Sequence, residues 1–525
     1  MTRELTSDEH EQLARRLQEH ERYPHPVENV KLVTTHISSL LLTDTHAYKL
    51  KKPLDLGFLD FTTLEQRRHA CDEELRLNRR LAPEIYLQRI PITGTPDDPR
   101  IDGEGPLLDW AVQMQRFDDS RLFDRLLESG ELTIAAIEDV ADQVAVFHDQ
   151  AGVADADSDW GTPEAIAAPA RDNIAELRRL LGTDARVERL AGWTDEQIAR
   201  LRPLMEERRQ QGRIRECHGD LHLGNIVEMD GRAVIFDGIE FSPALRWIDV
   251  LNEVAFLDMD LRSRGRRDLA ARFLSNYLEH TGDYSGAALM PFYRAYRALV
   301  RAKVTALRLD DNSISREARD QAMAAVDRYL TVASAAMDGQ RPRIFLMHGL
   351  SGSGKSTVAQ ALVARADAVR LRSDVERKRL HGMAATTRAG AEVGQGLYGQ
   401  QVSDATYARL EELTAEVWRG GMNVVIDAAT LKRAERDRIA RLAGLVGTSL
   451  TLVVCHADES VLRERIRARQ QAGRDASDAD TSVLDHQLRV VEWPENDEAD
   501  AVVRVDTQHD PDFRALDAVI DQTRR

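Results

Sequence analysis

Nine residues, Gly349-Leu350-Ser351-Gly352-Ser353-Gly354-Lys355-Ser356-Thr357, constrain the fold of this 525-residue chain more than any others. They follow a short apolar run, Arg343–His348, that reads as a strand, and they lead into a helical run, Val358–Arg365. G-x-x-x-x-G-K-S between a strand and a helix is what a phosphate cradle requires. Glycines let successive N–H groups turn toward one anion, and the helix N-terminus adds its dipole. Lys355 can then reach the outer phosphates and Ser356 can ligate Mg²⁺. The spacing predicts nucleotide contact by Gly349, Ser351, Gly352, Ser353, Gly354, Lys355, Ser356 and Thr357, in an α/β domain with a mostly parallel sheet.

Further strands are expected at Ala368–Leu371, ending in Arg372-Ser373-Asp374, at Met422–Ile426, ending in Asp427, and at Leu450–Val454. Asp427 suits the carboxylate that supports Mg²⁺ in such folds. Asp374 stands at a strand end where it can face an acceptor, or else it caps the next helix. The helix after Val454 puts Arg463 and Arg467 on one face at i,i+4 and Arg465 and Arg469 on another. The pair Arg463 and Arg467 is expected to close over a transferred phosphate, unless the helix is simply solvated. Gln470–Thr481 reads as a lid segment, and Tyr398 is placed on the acceptor side.

A second concentration of chemistry lies at Glu216–Phe241, E-C-H-G-D-L-H-L-G-N-I-V-E-M-D-G-R-A-V-I-F-D-G-I-E-F. Asp230-Gly231 between two apolar runs suits a tight hairpin turn, which brings Asn225 and Asp237 together at the open end. Asp220 precedes them on an irregular loop. Two carboxylates and an amide oxygen then converge, as Mg²⁺ and a substrate hydroxyl require. Asp220 takes or orients the hydroxyl proton, and Asn225 and Asp237 hold the metal. His218 and His222 are expected to brace the loop. The alternative is a hairpin that is acidic because it is exposed.

The H-G-D-L-H-x-x-N spacing resembles the catalytic loop of the aminoglycoside phosphotransferase and choline kinase family, relatives of protein kinases, and I-F-D-G resembles their metal-binding motif. The resemblance implies a bilobal α+β kinase-like domain at 1–336. His46-Ala47-Tyr48-Lys49 then supplies the phosphate-gripping lysine, with Lys51 in reserve. Helix phase turns Glu74 inward toward that lysine and Glu73 outward. Lys31–Thr43 reads as one strand, and Thr34–Ser38 lies where a phosphate-covering loop belongs, with His36 or Ser38 as contacts. Backbone groups around Met114 and Gln115 would meet adenine, and Asp249 would brace the catalytic loop. Trp247–Val250 is expected to open a helix. Met337–Pro342 reads as a linker to the second domain, 343–525.

The second domain resembles small P-loop kinases such as gluconate kinase, chloramphenicol phosphotransferase, zeta toxins and the kinase domain of polynucleotide kinase. By that resemblance Asp374 activates the acceptor and the arginine helix is the lid. The order of the two domains resembles bacterial fusions of an aminoglycoside phosphotransferase-like domain with an ATP-binding domain. The first domain lacks a Gly-rich loop and carries Gly238-Ile239-Glu240 where antibiotic-modifying relatives have an aromatic residue, so an antibiotic acceptor is not inferred.

Residues 1–340 carry 44 basic and 60 acidic side chains against 27 and 28 beyond, so nearly all of the −17 net charge lies in the first part. That balance disfavours general nucleic-acid binding and suits a neutral or cationic substrate. Cys71, Cys217 and Cys455 are too scattered for a C-x-x-C site and read as buried apolar residues. With neither a signal segment nor a membrane-length apolar run, the protein is expected in the cytoplasm, using ATP and Mg²⁺ to phosphorylate small-molecule hydroxyls at two sites. The alternatives are one active site with a nucleotide-sensing partner, or a C-terminal 5′-hydroxyl nucleic-acid kinase. Neither the acceptors nor the oligomeric state is encoded in spacing.

Overall fold

Period-two alternation along Lys31–Gln115 produces the strands Lys31–Thr34 (β1), Ser38–Leu42 (β2), His46–Lys51 (β3), Tyr86–Thr95 (β4), Asp98–Ile101 (β5) and Leu107–Gln115 (β6). They form one antiparallel sheet in the order β1-β2-β3-β6-β4-β5. The computed structural model describes residues 4–57, 59–310, 314–339, 341–383, 400–472 and 480–521. Helix α1 (Ser7–Arg16) brings Leu13, followed by Leu17, against Tyr48, Leu50, Ile90 and Ala111 on one face of the sheet. Helix α2 (Leu64–Asn78) packs Cys71 and Leu75 on Ala47, Val112 and Met114 of the other. Because successive strand side chains alternate, Ala47, Lys49 and Lys51 all lie beneath α2. Thr63 fixes the start of α2: its hydroxyl accepts the Gln66 N–H, and the Gln66 side chain accepts the Thr63 N–H at 2.8 Å.

Lys31–Thr43 is not a single strand. The Ser38 N–H donates to Thr35 Oγ1 at 3.0 Å and the Thr35 N–H to Ser38 O at 2.9 Å, which folds the segment into a hairpin. Helices α3 (Phe123–Ser129), α4 (Ile134–Gln150), α5 (Pro163–Leu181) and α6 (Ala185–Gln210) follow, then β7 (Ile214–Glu216) and the hairpin β8 (Ile226–Met229) and β9 (Arg232–Ile235). After the single turn α7 (Pro243–Arg246), residues Trp247–Asp249 form β10 rather than the start of a helix. They pair antiparallel with β7, and α8 (Val250–Ser263) begins only beyond them.

The helices α9 (Arg267–Thr281), α10 (Met290–Leu307) and α11 (Arg316–Ala335) precede β11 (Ile344–His348). Then come α12 (Lys355–Ala366), β12 (Ala368–Arg372), α13 (Ser373–Leu380), α14 (Gln400–Arg419), β13 (Asn423–Asp427), α15 (Arg433–Val446), β14 (Leu450–His456), α16 (Glu459–Ala472), α17 (Thr481–Val490), β15 (Ala501–Asp506) and α18 (Arg514–Asp521). The five strands form a wholly parallel sheet, β12-β13-β11-β14-β15. In such a sheet ligands bind beyond the carboxyl ends of the strands, where Gly349, Asp374 and Asp427 stand. The chain divides into two compact units, Met1–Ile166 with Met205–Leu257, and Ala167–Leu204 with Asp258–Arg525. They part within α5, α6 and α8, so α9 to α11 share a unit with the parallel sheet. Among the described residues no helix is long and apolar enough to cross a membrane.

Asp249 lies at the end of β10, and Arg208 of α6 grips it through two bonds of 2.7 and 2.8 Å, both side chains buried. Arg208→Met would strip this bidentate partner from the buried Asp249 carboxylate. Chemical denaturation should show a loss of about 3–5 kcal/mol, and Asp249→Asn in the same background should recover part of it.

Candidate active sites

The first site is built around a carboxylate with no exposure. Glu74 projects from α2 toward β3, and Lys49 Nζ approaches its Oε1 at 2.8 Å and Asp237 Oδ1 at 2.6 Å. Lys51 is equally committed: its Nζ lies 2.5 Å from Glu74 Oε2 and pairs with Glu240 as well. Burial works against ionising Glu74, but the two ammoniums outweigh it and hold the carboxyl at about 2. Burial likewise opposes the charge of Lys49, and Asp237 and Glu74 override it, raising its pKa well above the usual lysine range. Glu240 was not singled out from the sequence, although a second lysine on the buried face of β3 demands a second carboxylate.

The β8–β9 turn has positive φ at both Asp230 (51°) and Gly231 (75°). At the open end the Phe236 N–H donates to Asn225 O at 3.0 Å, which sets Asn225 beside the chain that continues into Asp237. Asp237 takes φ 63°, its N–H donates to the Tyr86 hydroxyl at 3.0 Å, and the Gly238 N–H donates to Asn78 Oδ1 at 2.7 Å. The Asn225 amide nitrogen donates to Asp220 O (3.0 Å) and Asp220 Oδ2 (3.1 Å), which leaves its oxygen for a cation. His222 Nδ1 accepts the Gly224 N–H, so its Nε2 carries the proton and points at Asp220 Oδ2, 3.4 Å away. His218 bonds Phe236 O at 2.9 Å. Both histidines therefore brace the loop.

Glu253 holds the loop backbone. Glu253 accepts from the His218 N–H (3.1 Å), the Gly219 N–H (2.5 Å) and His148 Nε2 (2.8 Å). Burial opposes its charge, but these bonds hold it ionised, down to about 2. Glu253 stands one helical turn beyond Asp249, and the motif alone offered no way to choose between them. The Gln115 and Arg116 N–H groups already donate to Ile85 O and Thr45 O at 2.8 and 3.0 Å, so they are not available to adenine. A cavity of about 790 Å³ lined by Val30, Leu42, Arg116 and Phe117 lies beside that strand end. His36 is exposed at the β1–β2 turn, whereas Ser38 is buried.

In the second site β11 delivers the chain into the glycine loop. A Cβ on Gly349 (φ 150°) would sit 2.5 Å from Cys455 O, and one on Gly352 (φ 79°) 2.7 Å from Leu462 O, so only glycine fits either position. Gly354 (φ 75°) turns the chain into α12, whose first turn carries Lys355 and the exposed Ser356 and Thr357. Side chains hold the loop from behind. Gln487 Oε1 accepts the Ser351 N–H at 2.7 Å, and Thr507 Oγ1 donates to Ser353 O at 2.9 Å. Lys355 Nζ donates to Leu350 O at 2.8 Å. Burial pulls the Lys355 pKa down, with Asp427 the leading opposing charge and Asp374 a lesser one.

Asp427 Oδ2 and Ser353 Oγ are both buried without a hydrogen-bond partner. A buried carboxylate oxygen left unpaired beside the Lys355 ammonium, in a glycine cradle that a Cβ would fill, fits Mg²⁺ and a polyphosphate. Asp374 stands in the first turn of α13, does not cap it, and receives Arg377 at 2.8 Å. The arginine face differs from expectation. Arg463 is tied to Glu459 and Asp485, at 2.7 and 2.6 Å, and Arg467 is exposed. Arg465 is the one that reaches the loop's support, donating to Thr507 O at 2.6 Å, and the charge of Arg469 is felt at Lys355. The i,i+4 spacing defined two faces, and the acidic partners Glu459 and Asp485 decided which one turned outward. Tyr398 and residues 473–479 of the lid segment lie outside the described residues.

Residues 344–494 match the AAA_33 family, an AAA domain. Over 460 residues the chain is 30% identical to the uncharacterized protein Rv2004c of Mycobacterium tuberculosis (strain H37Rv), covering 86% of this chain and 89% of that protein. A gluconokinase of Gluconobacter oxydans (strain 621H) is 29% identical over 180 residues, 33% of this chain and 88% of its own. An ethanolamine kinase structure from Plasmodium vivax aligns with 59% of this chain and 82% of its own, at 10% identity and TM-score 0.36.

Glu74 and Glu253 both titrate near 2 when folded, against an ordinary value of 4.5. The unfolded chain takes up these protons near pH 4.5 and the folded chain only near pH 2, so their stabilisation is intact above the first value and lost as pH falls toward the second. Calorimetry from neutral pH downward should show Tm falling across that window. Glu253→Gln should lower Tm at neutral pH and flatten the acid slope.

Proposed function

The chain belongs to the family of the mycobacterial protein Rv2004c, and we propose that it is an ATP-dependent kinase with two phosphotransfer centres, each acting on a hydroxyl of a small molecule. One observation carries the reading: each compact unit separately brings together a lysine, oxygen ligands suited to Mg²⁺ and an aspartate able to meet an acceptor. In the first unit, inside the kinase-like part proposed at 1–336, these are Lys49 held by Glu74, then Asn225 with Asp237, and Asp220. In the second unit, inside the P-loop part proposed at 343–525 beyond the linker 337–342, they are Lys355, Ser356 with Asp427, and Asp374.

In the first centre Asp220, oriented by His222 and Asn225, accepts the proton of the acceptor hydroxyl as its oxygen bonds to the γ-phosphorus. The bond from that phosphorus to the bridging oxygen breaks and ADP leaves. Lys49 holds phosphate oxygens, and the apolar wall of Leu42 and Phe117 takes the purine. In the second, the loop amides and Lys355 hold the phosphates, Asp374 receives the acceptor proton, and the Arg465 and Arg469 face of α16 closes over the transferred group. Asn225 and Asp237 in the first centre, and Ser356 with Asp427 behind it in the second, would hold Mg²⁺, which would supply charge neutralisation for the transferred phosphate. For the second centre the acceptor class is a polyol or sugar acid, as the gluconokinase relative's name suggests. The setting is cytoplasmic, in keeping with three buried, unbridged cysteines.

Labelled ATP supplied with D-gluconate and with a metabolite extract tests the proposal. Asp220→Asn should remove one set of phosphorylated products by about 10²–10⁴-fold and leave the other, and Lys355→Ala should do the converse. A single variant that abolishes every product while the other site still binds nucleotide would instead make that other site a sensor.

A further inference from the structure

Among the described residues β12 is the terminal strand of the parallel sheet, and one of its edges has no strand partner. Helix α9 covers it: the Arg370 N–H donates to Ser275 Oγ at 3.0 Å in a buried contact. Arg370 and Arg372 stand two residues apart on one face of the strand, and Glu279 of α9 takes both. Its Oε2 accepts from Arg370 at 2.9 Å and its Oε1 from Arg372 at 3.1 Å. The backbone carbonyl of Glu279 accepts from Arg379 at 2.5 Å. Arg372 is the N-cap of α13 and Arg379 lies in its last turn, so a single residue holds both ends of the helix that carries Asp374.

No side-chain cap fixes the start of α13, because Arg372 offers no acceptor to the first-turn amides. The Glu279 clamp stands in its place. Two further contacts tie the same helical layer to the loop helix. Arg262 grips Asp367, at the end of α12, through bonds of 2.6 and 2.8 Å, and Arg272 donates to Gln360 O of α12 at 2.7 Å. The start of α12 is the phosphate loop itself. Asp374 and Lys355 are thus referred to a common support that lies outside residues 344–494.

We propose that Glu279 is a positioning residue of the P-loop centre, fixing α13 and with it the distance of Asp374 from the phosphate loop. This rests on the reading that Asp374 meets the acceptor. It makes the P-loop centre dependent on α9, a helix from the sequence that precedes the domain.

The test uses the full-length chain carrying Asp220→Asn, so that only the P-loop centre transfers phosphate, with Glu279→Ala and Glu279→Gln added singly. Glu279→Ala should raise amide exchange across α13 about tenfold or more. It should lower kcat for transfer from ATP to D-gluconate, or to the phosphorylated products found in extract, by about 10- to 100-fold. KM for ATP and the affinity for a fluorescent ADP analogue should stay within about twofold, because the loop itself is untouched. Glu279→Gln, which keeps the shape and one acceptor, should fall between wild type and Glu279→Ala. Unchanged exchange across α13, or a loss of nucleotide affinity in step with kcat, would overturn the proposal, the latter marking a general structural role. If the Asp220→Asn protein with Glu279 intact transfers phosphate to nothing, the two-centre reading fails, and the exchange measurement still decides whether Glu279 holds α13.

Discussion

The buried charges of the first unit depend on keeping Glu74 ionised away from solvent. An isolated carboxylate in that position would neutralise itself by taking up a proton. Two lysines prevent this, each taking one oxygen. The arrangement then dictates its surroundings. Lys49 must reach outward to Asp237 and Lys51 inward to Glu240, so that two ammoniums are balanced among three carboxylates. The sheet, α2 and the segment Asp237–Glu240 are joined by charge. A buried network of this kind adds little net stability, but it penalises any arrangement in which one member is missing.

The two proposed centres solve the same electrostatic problem with different materials. In the first unit the groups proposed to meet phosphate and metal are side chains, positioned by partners such as Glu253 and Asn78 that touch backbone amides. In the P-loop the groups proposed to meet phosphate are backbone amides, and side chains hold the loop's shape from behind: Gln487 on Ser351, and Thr507 on Ser353. A substitution at the first kind of site removes charge. At the second it removes shape, which explains why glycines occupy the points where any Cβ would strike a carbonyl.

Much of this was legible beforehand, and the reasons differ by feature. The P-loop, the Asp230-Gly231 turn and the inward face of α2 are local, so periodicity and turn chemistry suffice. Glu74 was placed by its phase relative to Leu77 and Leu81. The features that escaped are pairings across long sequence distance. Glu240 is 189 residues from Lys51, and Glu253 is 105 from His148. No local pattern distinguishes Glu253 from Asp249, or the Arg465 face of α16 from the Arg463 face, because the choice is made by partners elsewhere. Strand β10 was mistaken for a helix because Trp247-Ile248-Asp249-Val250 is apolar enough for either, and only its pairing with β7 decides.

Lys49 already has its fill of anions. With Glu74 on one side and Asp237 on the other, its ammonium is an anion exchanger already loaded: in the proposed reading it must let go of Asp237 to take hold of a phosphate. That released carboxylate is left facing the same anion unless a cation arrives with it. A site that works as proposed would recognise a neutralised complex and resist a bare polyphosphate. Its selectivity resides in the need for both exchanges to occur together, and not in any single contact.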